Sequence, residues 1–89
     1  MKQKRHRGRV EIIFDILHTC RKPINKTTLM RRANINNHII EKYICELVQK
    51  ELIGIIPYKK TWQLYKTTDK GLEALKSWKE VKRLLGEPI

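Results

Sequence analysis

Two runs of helical periodicity meet across a very short polar gap in RRANINNHIIEKYI, residues 31–44. Leu29, Met30 and Ala33 form an apolar stripe before the gap. Ile40, Ile44, Leu47 and Val48 form another after it, with Ile39 and Tyr43 beside them. Both have the 3.6-residue period of an amphipathic helix. Asn34, Asn36 and Asn37 supply the punctuation. Asparagine tolerates left-handed backbone, second only to glycine, so Asn34 is expected to end the first helix. Asn36 is expected to cap the next one by accepting from backbone N–H groups two or three positions on. Ile35 is left to tuck beneath the turn. The spacing predicts helices over residues 26–33 and 37–50 with almost nothing between them.

The flanking segments extend this pattern. From Arg9 to Cys20, apolar residues fall at Val10, Ile13, Phe14, Leu17 and Cys20, with Ile12 and Ile16 as a second edge. Arg21 and Lys22 suit the negative end of that helix, and Pro23 stops it. Ile24 is placed to add a residue or two to a small sheet. Asn25 is the expected cap of the second helix, with Thr27 as runner-up. LIGIIPY, residues 52–58, and WQLYKT, residues 62–67, are β-prone runs joined by a short polar link, which predicts a hairpin. Pro57 fits a strand end near its tip. Thr67, Thr68 and Asp69 then open a last helix running to about Leu85, ended by Gly86 and Pro88. Gly71 stands where glutamate would complete a capping box.

The expected fold class is therefore mainly α with a small β-hairpin (α+β). Its order is helix, short strand, helix, helix, strand, strand, helix, the organisation of a winged helix-turn-helix. At 89 residues the chain is read as one domain. Residues 1–8 are expected to be a flexible basic arm, residues 9–68 the winged domain, and residues 69–89 a C-terminal dimerisation helix. Ala74, Trp78, Val81 and Leu85 are spaced 4, 3 and 4 apart, a heptad seam that supports a homodimer. Leu72 and Leu75 lie on a neighbouring face that can pack on the domain. In the competing reading, Trp78 covers the first helix within one chain.

Charge narrows the partner. Lys plus Arg number 20 against 9 Asp plus Glu, a net +11. Such a field attracts polyanions. No apolar run approaches the roughly 18 residues of a membrane span. The N-terminus lacks the apolar core of a secretory signal. A soluble, cytoplasmic, nucleoid-associated protein is expected, without membrane contact. Cys20 and Cys45 have no metal spacing, and His6, His18 and His38 have no partner spacing for zinc or a catalytic dyad. No phosphate-binding loop, serine elbow or zinc-protease motif is present. Neither enzyme activity nor any metal, cofactor or small-molecule ligand is expected.

Duplex geometry then assigns roles. A helix about 10–12 Å across fits a major groove about 12 Å wide. The leading half of the third helix presents Asn37, His38, Glu41 and Lys42. Asn37 suits adenine N6 and N7, and Lys42 suits guanine or a phosphate. Glu41 suits cytosine N4, or an ion pair with a nearby cation. Thr27, Thr28, Arg31 and Arg32 of the second helix, with Lys59 and Lys60 at the hairpin tip, are the expected phosphate contacts. Lys2, Lys4, Arg5, Arg7 and Arg9 form the basic arm. The bland alternative is an ordinary solvated helix face. A different functional class is also consistent with the pattern: a winged module that binds protein through Trp78 and Val81. RNA fits the charge, but neither an RNP-type aromatic motif nor a GXXG loop is present.

The segments RGRVEIIFDIL, KTTLMRRANI, IEKYICELVQKELI and YKTTDKGLEAL resemble the archaeal winged-helix DNA-binding family. That family includes the small 10a-type chromatin proteins and related predicted transcriptional regulators. The likeness spans roughly residues 7 to 85, and KTTDKGLEAL and the KTTLMRRAN turn are its most telling parts. It implies a homodimer joined through the C-terminal helix, with one winged domain per subunit on double-stranded DNA. Glu51 departs from the family's usual glycine after the recognition helix. The last helix is shorter than in the long coiled-coil members.

Overall fold

The computed structural model describes residues 7–86. Its elements are α1 (Arg9–Thr19), α2 (Lys26–Ala33), α3 (Asn37–Gln49), β1 (Ile53–Lys59), β2 (Trp62–Thr67) and α4 (Asp69–Leu84). This is a winged helix-turn-helix of the α+β class.

Local chemistry fixes the helix ends. Asn34 adopts φ 56° and ψ 52°, the left-handed conformation, and its N–H donates to the Met30 carbonyl. The Ile35 N–H donates to the same oxygen at 3.0 Å. Asn36 Oδ1 accepts from the Ile39 N–H at 2.9 Å, and Asn25 Oδ1 accepts from Thr28 at 2.8 Å. The turn thus satisfies backbone groups that a helix end would otherwise leave without partners. Ile35 drops into the core, 7 % exposed.

That core gathers Ile16 and Leu17 of α1 with Cys20 just after it, Leu29 and Ala33 of α2, Ile40, Ile44 and Leu47 of α3, and Ile53 of β1. The third helix buries the face its stripe predicted. In α1 the result differs: Val10 is exposed and Ile16 fully buried. α1 packs against both α2 and α4, so its buried surface centres on the residues between them. Val10, in the leading turn, faces away from that surface.

The hairpin is antiparallel, with Ile53 opposite Thr67 and Ile55 opposite Tyr65. A bulge between Pro57 and Lys59 interrupts its register. β1 continues through Lys59, so Lys60 and Thr61 make the turn, one residue shorter than the link left between the two expected runs. Ile24 joins the sheet by a single bridge to Tyr65, as its position suggested.

The junction of hairpin and α4 is densely tied. Thr67 is fully buried, and its hydroxyl donates to the Leu17 carbonyl at 2.7 Å. The Thr68 hydroxyl donates to the Glu51 carbonyl at 2.7 Å and accepts from the Gly71 N–H at 3.0 Å. Gly71 has a packing reason that the capping-box reading did not supply. A Cβ there would stand 2.3 Å from the Leu52 carbonyl oxygen. Glu51 also lies in left-handed backbone, φ 61°, at the position where the resembling family has glycine.

Candidate nucleic-acid interface

α3 buries Ile40, Ile44 and Leu47, and turns Asn37, His38, Glu41, Lys42, Cys45 and Gln49 to the exterior. The four residues expected to read bases therefore occur together on one exposed surface. Asn36 starts the helix cleanly, so Asn37 and His38 lie in its first turn.

Lys26 is a member of this surface that sequence spacing did not single out. Its Nζ lies 2.6 Å from Glu41 Oε2, linking the start of α2 to the middle of α3. The ammonium holds the Glu41 carboxyl below its ordinary value, chiefly by donating to it and then by its charge. The acid on the outward face of α3 is thereby partly neutralised. A pairing across 15 positions leaves no periodic signal in the chain.

The N-terminus of α2 and the β2 side of the hairpin, from its turn inward, face each other across a cleft of about 280 Å³. Asn25, Lys26 and Thr27 line one side, and Thr61, Trp62, Gln63 and Tyr65 the other. Thr27 is exposed; Thr28 is half-buried, with its N–H already given to the Asn25 cap. Only the Thr28 hydroxyl is thus left for a phosphate. Arg31 and Arg32 are exposed on α2, as are Lys59 and Lys60 at the hairpin tip. The Lys59 ammonium lies 5.4 Å from the Tyr58 ring centroid, a cation–π contact that braces the tip.

Arg7 departs from its expected place in a loose arm. Its guanidinium donates at 2.8 Å to the Asp15 carboxylate and to the carbonyls of Ala33 and Asn34. Those two carbonyls belong to the left-handed end of α2, so Arg7 clamps the helix-turn-helix. The reason is geometric: the start of α1 lies beside the end of α2, where unpaired carbonyls attract a cation. Arg9 is likewise committed, to an ion pair with Glu46, and its guanidinium carbon lies 5.7 Å from the Tyr43 ring centroid. Lys2, Lys4 and Arg5 lie outside the described residues.

On α4, Ala74 is half-buried and Trp78 stacks on Phe14, with ring centroids 4.9 Å apart and planes 6° from parallel. One face of Trp78 is therefore used inside the chain, as the competing reading of that residue had it. Val81, Leu84 and Leu85 are 46 %, 68 % and 69 % exposed. Cys20 is buried, which pushes its thiol up to about 12, while Cys45 is exposed. Among the described residues no group of His, Cys, Asp and Glu could hold a metal ion, and no helix is long and apolar enough to cross a membrane.

No curated protein matches the sequence. Among solved structures, Sso10a-2, a DNA-binding protein from Sulfolobus solfataricus, superposes with a TM-score of 0.74 at 28 % identity. The match covers 89 % of this chain and 85 % of that one. The PcaV transcriptional regulator from Streptomyces coelicolor superposes with a TM-score of 0.68 at 17 % identity, over 74 % of this chain and 52 % of its own. Its ligand-bound form gives 0.67 at 16 %, over 72 % and 48 %. At those identities the likeness to PcaV is one of fold. The winged helix-turn-helix family model matches residues 6–86, nearly the whole chain. By fold and by sequence, the chain belongs to the winged helix-turn-helix family.

Proposed function

We propose that this protein binds double-stranded DNA as a homodimer and serves as a transcriptional regulator or chromatin-associated protein of the cytoplasmic nucleoid. The leading half of α3 enters the major groove. There Asn37 and Lys42 meet base edges, and His38 and Glu41 line the same contact. Thr27, Arg31 and Arg32, with the hydroxyl of Thr28, meet phosphates on one flank. Lys59 and Lys60 meet phosphates or the minor groove on the other. The cations Lys2, Lys4 and Arg5 add nonspecific attraction.

The observation that carries this reading is the split of α3. Its apolar residues are sunk in the core, while Asn37, His38, Glu41 and Lys42 are all exposed at its leading end. The resemblance to Sso10a-2, whose own description is a DNA-binding protein, supports duplex DNA as the partner. Dimerisation through α4 is supported by the exposure of Val81 and Leu85 on the heptad seam.

The test is duplex binding over a salt series, on defined and random sequences, with light scattering of the free protein. Affinity is expected to fall steeply with salt, with a log–log slope of about −0.9 per neutralised phosphate. Lys59→Ala combined with Lys60→Ala lowers it on every sequence and makes the slope shallower. Salt-independent binding, or no binding by the wild type, contradicts the proposal. A monomeric mass contradicts its dimeric part.

A further inference from the structure

A second cationic surface lies where α1 ends against α4. Arg21, Lys76, Lys79 and Arg83 surround a cleft of about 390 Å³, floored by Leu72 and Leu75. No residue of α2, α3 or the hairpin lines it, so it is separate from the surface described above. Its one acid, Glu80, is already paired with Arg83. Among the described residues, Lys76, Lys79 and Arg21 have no carboxylate partner. Arg21 is held in place by donation of its Nε–H to the His18 carbonyl at 3.0 Å. The neighbouring His18 imidazole is depressed below its ordinary value by burial first, and then by the charges of Arg21 and Lys79. Three positive groups thus converge without an internal counter-charge.

The layout suits a line of negative charge more than a single ion. Lys76, Lys79 and Arg83 follow one another at i, i+3 and i+7 along one face of α4. At 1.5 Å per residue they span about 10 Å. A polyphosphate backbone presents charge at comparable intervals and releases its counterions when cations replace them. Lys76 and Arg83 also lie roughly opposite Val81 around α4, at 100° per residue, so pairing through the heptad seam leaves the cleft open.

We propose that this α1–α4 cleft holds the phosphate backbone of a second duplex while α3 and the wing engage the first, so that one chain joins two DNA segments. This rests on the reading of α3 and the wing as a DNA contact. The chemistry is sequence-independent, because cations spaced along a helix face neutralise phosphates whatever bases they carry.

The test is two-step capture by the full-length protein. An immobilised duplex is loaded with protein and washed, then offered a labelled second duplex. The variant is Arg21→Gln, Lys76→Gln and Lys79→Gln combined, with circular dichroism and light scattering to verify fold and assembly. The expected result is retained binding to the first duplex, unchanged mass, and capture of the second lowered roughly tenfold or more, as loss of about three phosphate contacts implies. A wild type that binds the first duplex and never captures the second overturns the inference and leaves the DNA reading intact. Capture by the variant equal to wild type also overturns it, since two reading heads of a dimer then account for the joining. Loss of polyglutamate binding by the variant, with duplex capture retained, assigns the cleft to an acidic protein segment and overturns it as well. Failure of the wild type to bind any duplex in the first step removes the DNA reading and this inference together.

Discussion

Lys26 and Glu41 are joined by an ion pair of 2.6 Å that ties the first residue of α2 to the outward face of the proposed recognition helix. A carboxylate on a DNA-facing surface opposes phosphate, and here its charge is answered before DNA arrives. Both groups are solvent-accessible, so the pair adds little to folding.

Replacing Glu41 with glutamine keeps shape and removes the charge. Affinity for most duplexes is expected to rise by about two- to fivefold, the scale of one exposed charge interaction. Preference for cytosine at the contacted position is expected to fall. Thermal stability stays near wild type. Fluorescence anisotropy over a panel of single-base variants reads these effects. A uniform loss of affinity on every duplex instead assigns the Lys26–Glu41 bridge to the seating of α3.

Gly71 is fixed by the approach of the Leu52 carbonyl, not by its conformation. Alanine at this helical position gains about 1 kcal/mol of intrinsic helix preference. The 2.3 Å contact that its Cβ would make with backbone oxygen outweighs that gain, since neither element can yield without opening the junction. Gly71→Ala is expected to cost about 2–3 kcal/mol net and to lower Tm by about 10–20 °C. A Tm within a few degrees of wild type contradicts this packing.

Glu51 makes the opposite prediction. Its φ of 61° is uncomfortable for a side chain and open space for glycine. Glu51→Gly is expected to stabilise the protein by about 0.5–1 kcal/mol, read as a higher urea midpoint. A lower midpoint means that the Glu51 side chain holds contacts worth more than the strain.

Glu46 accepts from Arg9 and Lys50, and these bonds take its carboxyl from an ordinary 4.5 down to about 2. The folded state therefore favours the charged form. Its contribution is whole above about pH 4.5 and is lost as pH falls toward 2. Glu46→Gln is expected to be less stable than wild type at neutral pH and to lose less stability across that acid window. Unfolding curves that stay parallel from pH 6 to pH 2, within the range where about one carboxylate titration matters, contradict the pairing.

What the sequence disclosed, and what it concealed, divides by distance along the chain. Asn25, Asn34, Asn36 and Thr68 cap backbone within a few residues of themselves, so the local sequence located both ends of α2 and the starts of α3 and α4. The exposed face of α3 followed from its period. Arg7, Lys26 and Gly71 act across 26, 15 and 19 positions, on Ala33, Glu41 and Leu52. Those partners meet only after the helices pack, and no local rule announces them. Arg7 in particular reads as one more cation of a basic arm until the open carbonyls at the end of α2 come to lie beside it. Val10 fitted the apolar stripe equally well and is nevertheless exposed, because a stripe does not specify where on the helix the neighbouring elements pack.

The most direct measurement is the map of backbone amide shifts on adding one equivalent of a short duplex to isotope-labelled protein. The largest changes are expected on Asn37 to Lys42 of α3, on Thr27 and Thr28, and on Lys59 to Thr61 of the wing. Duplex binding that leaves those three segments unmoved contradicts the proposed interface.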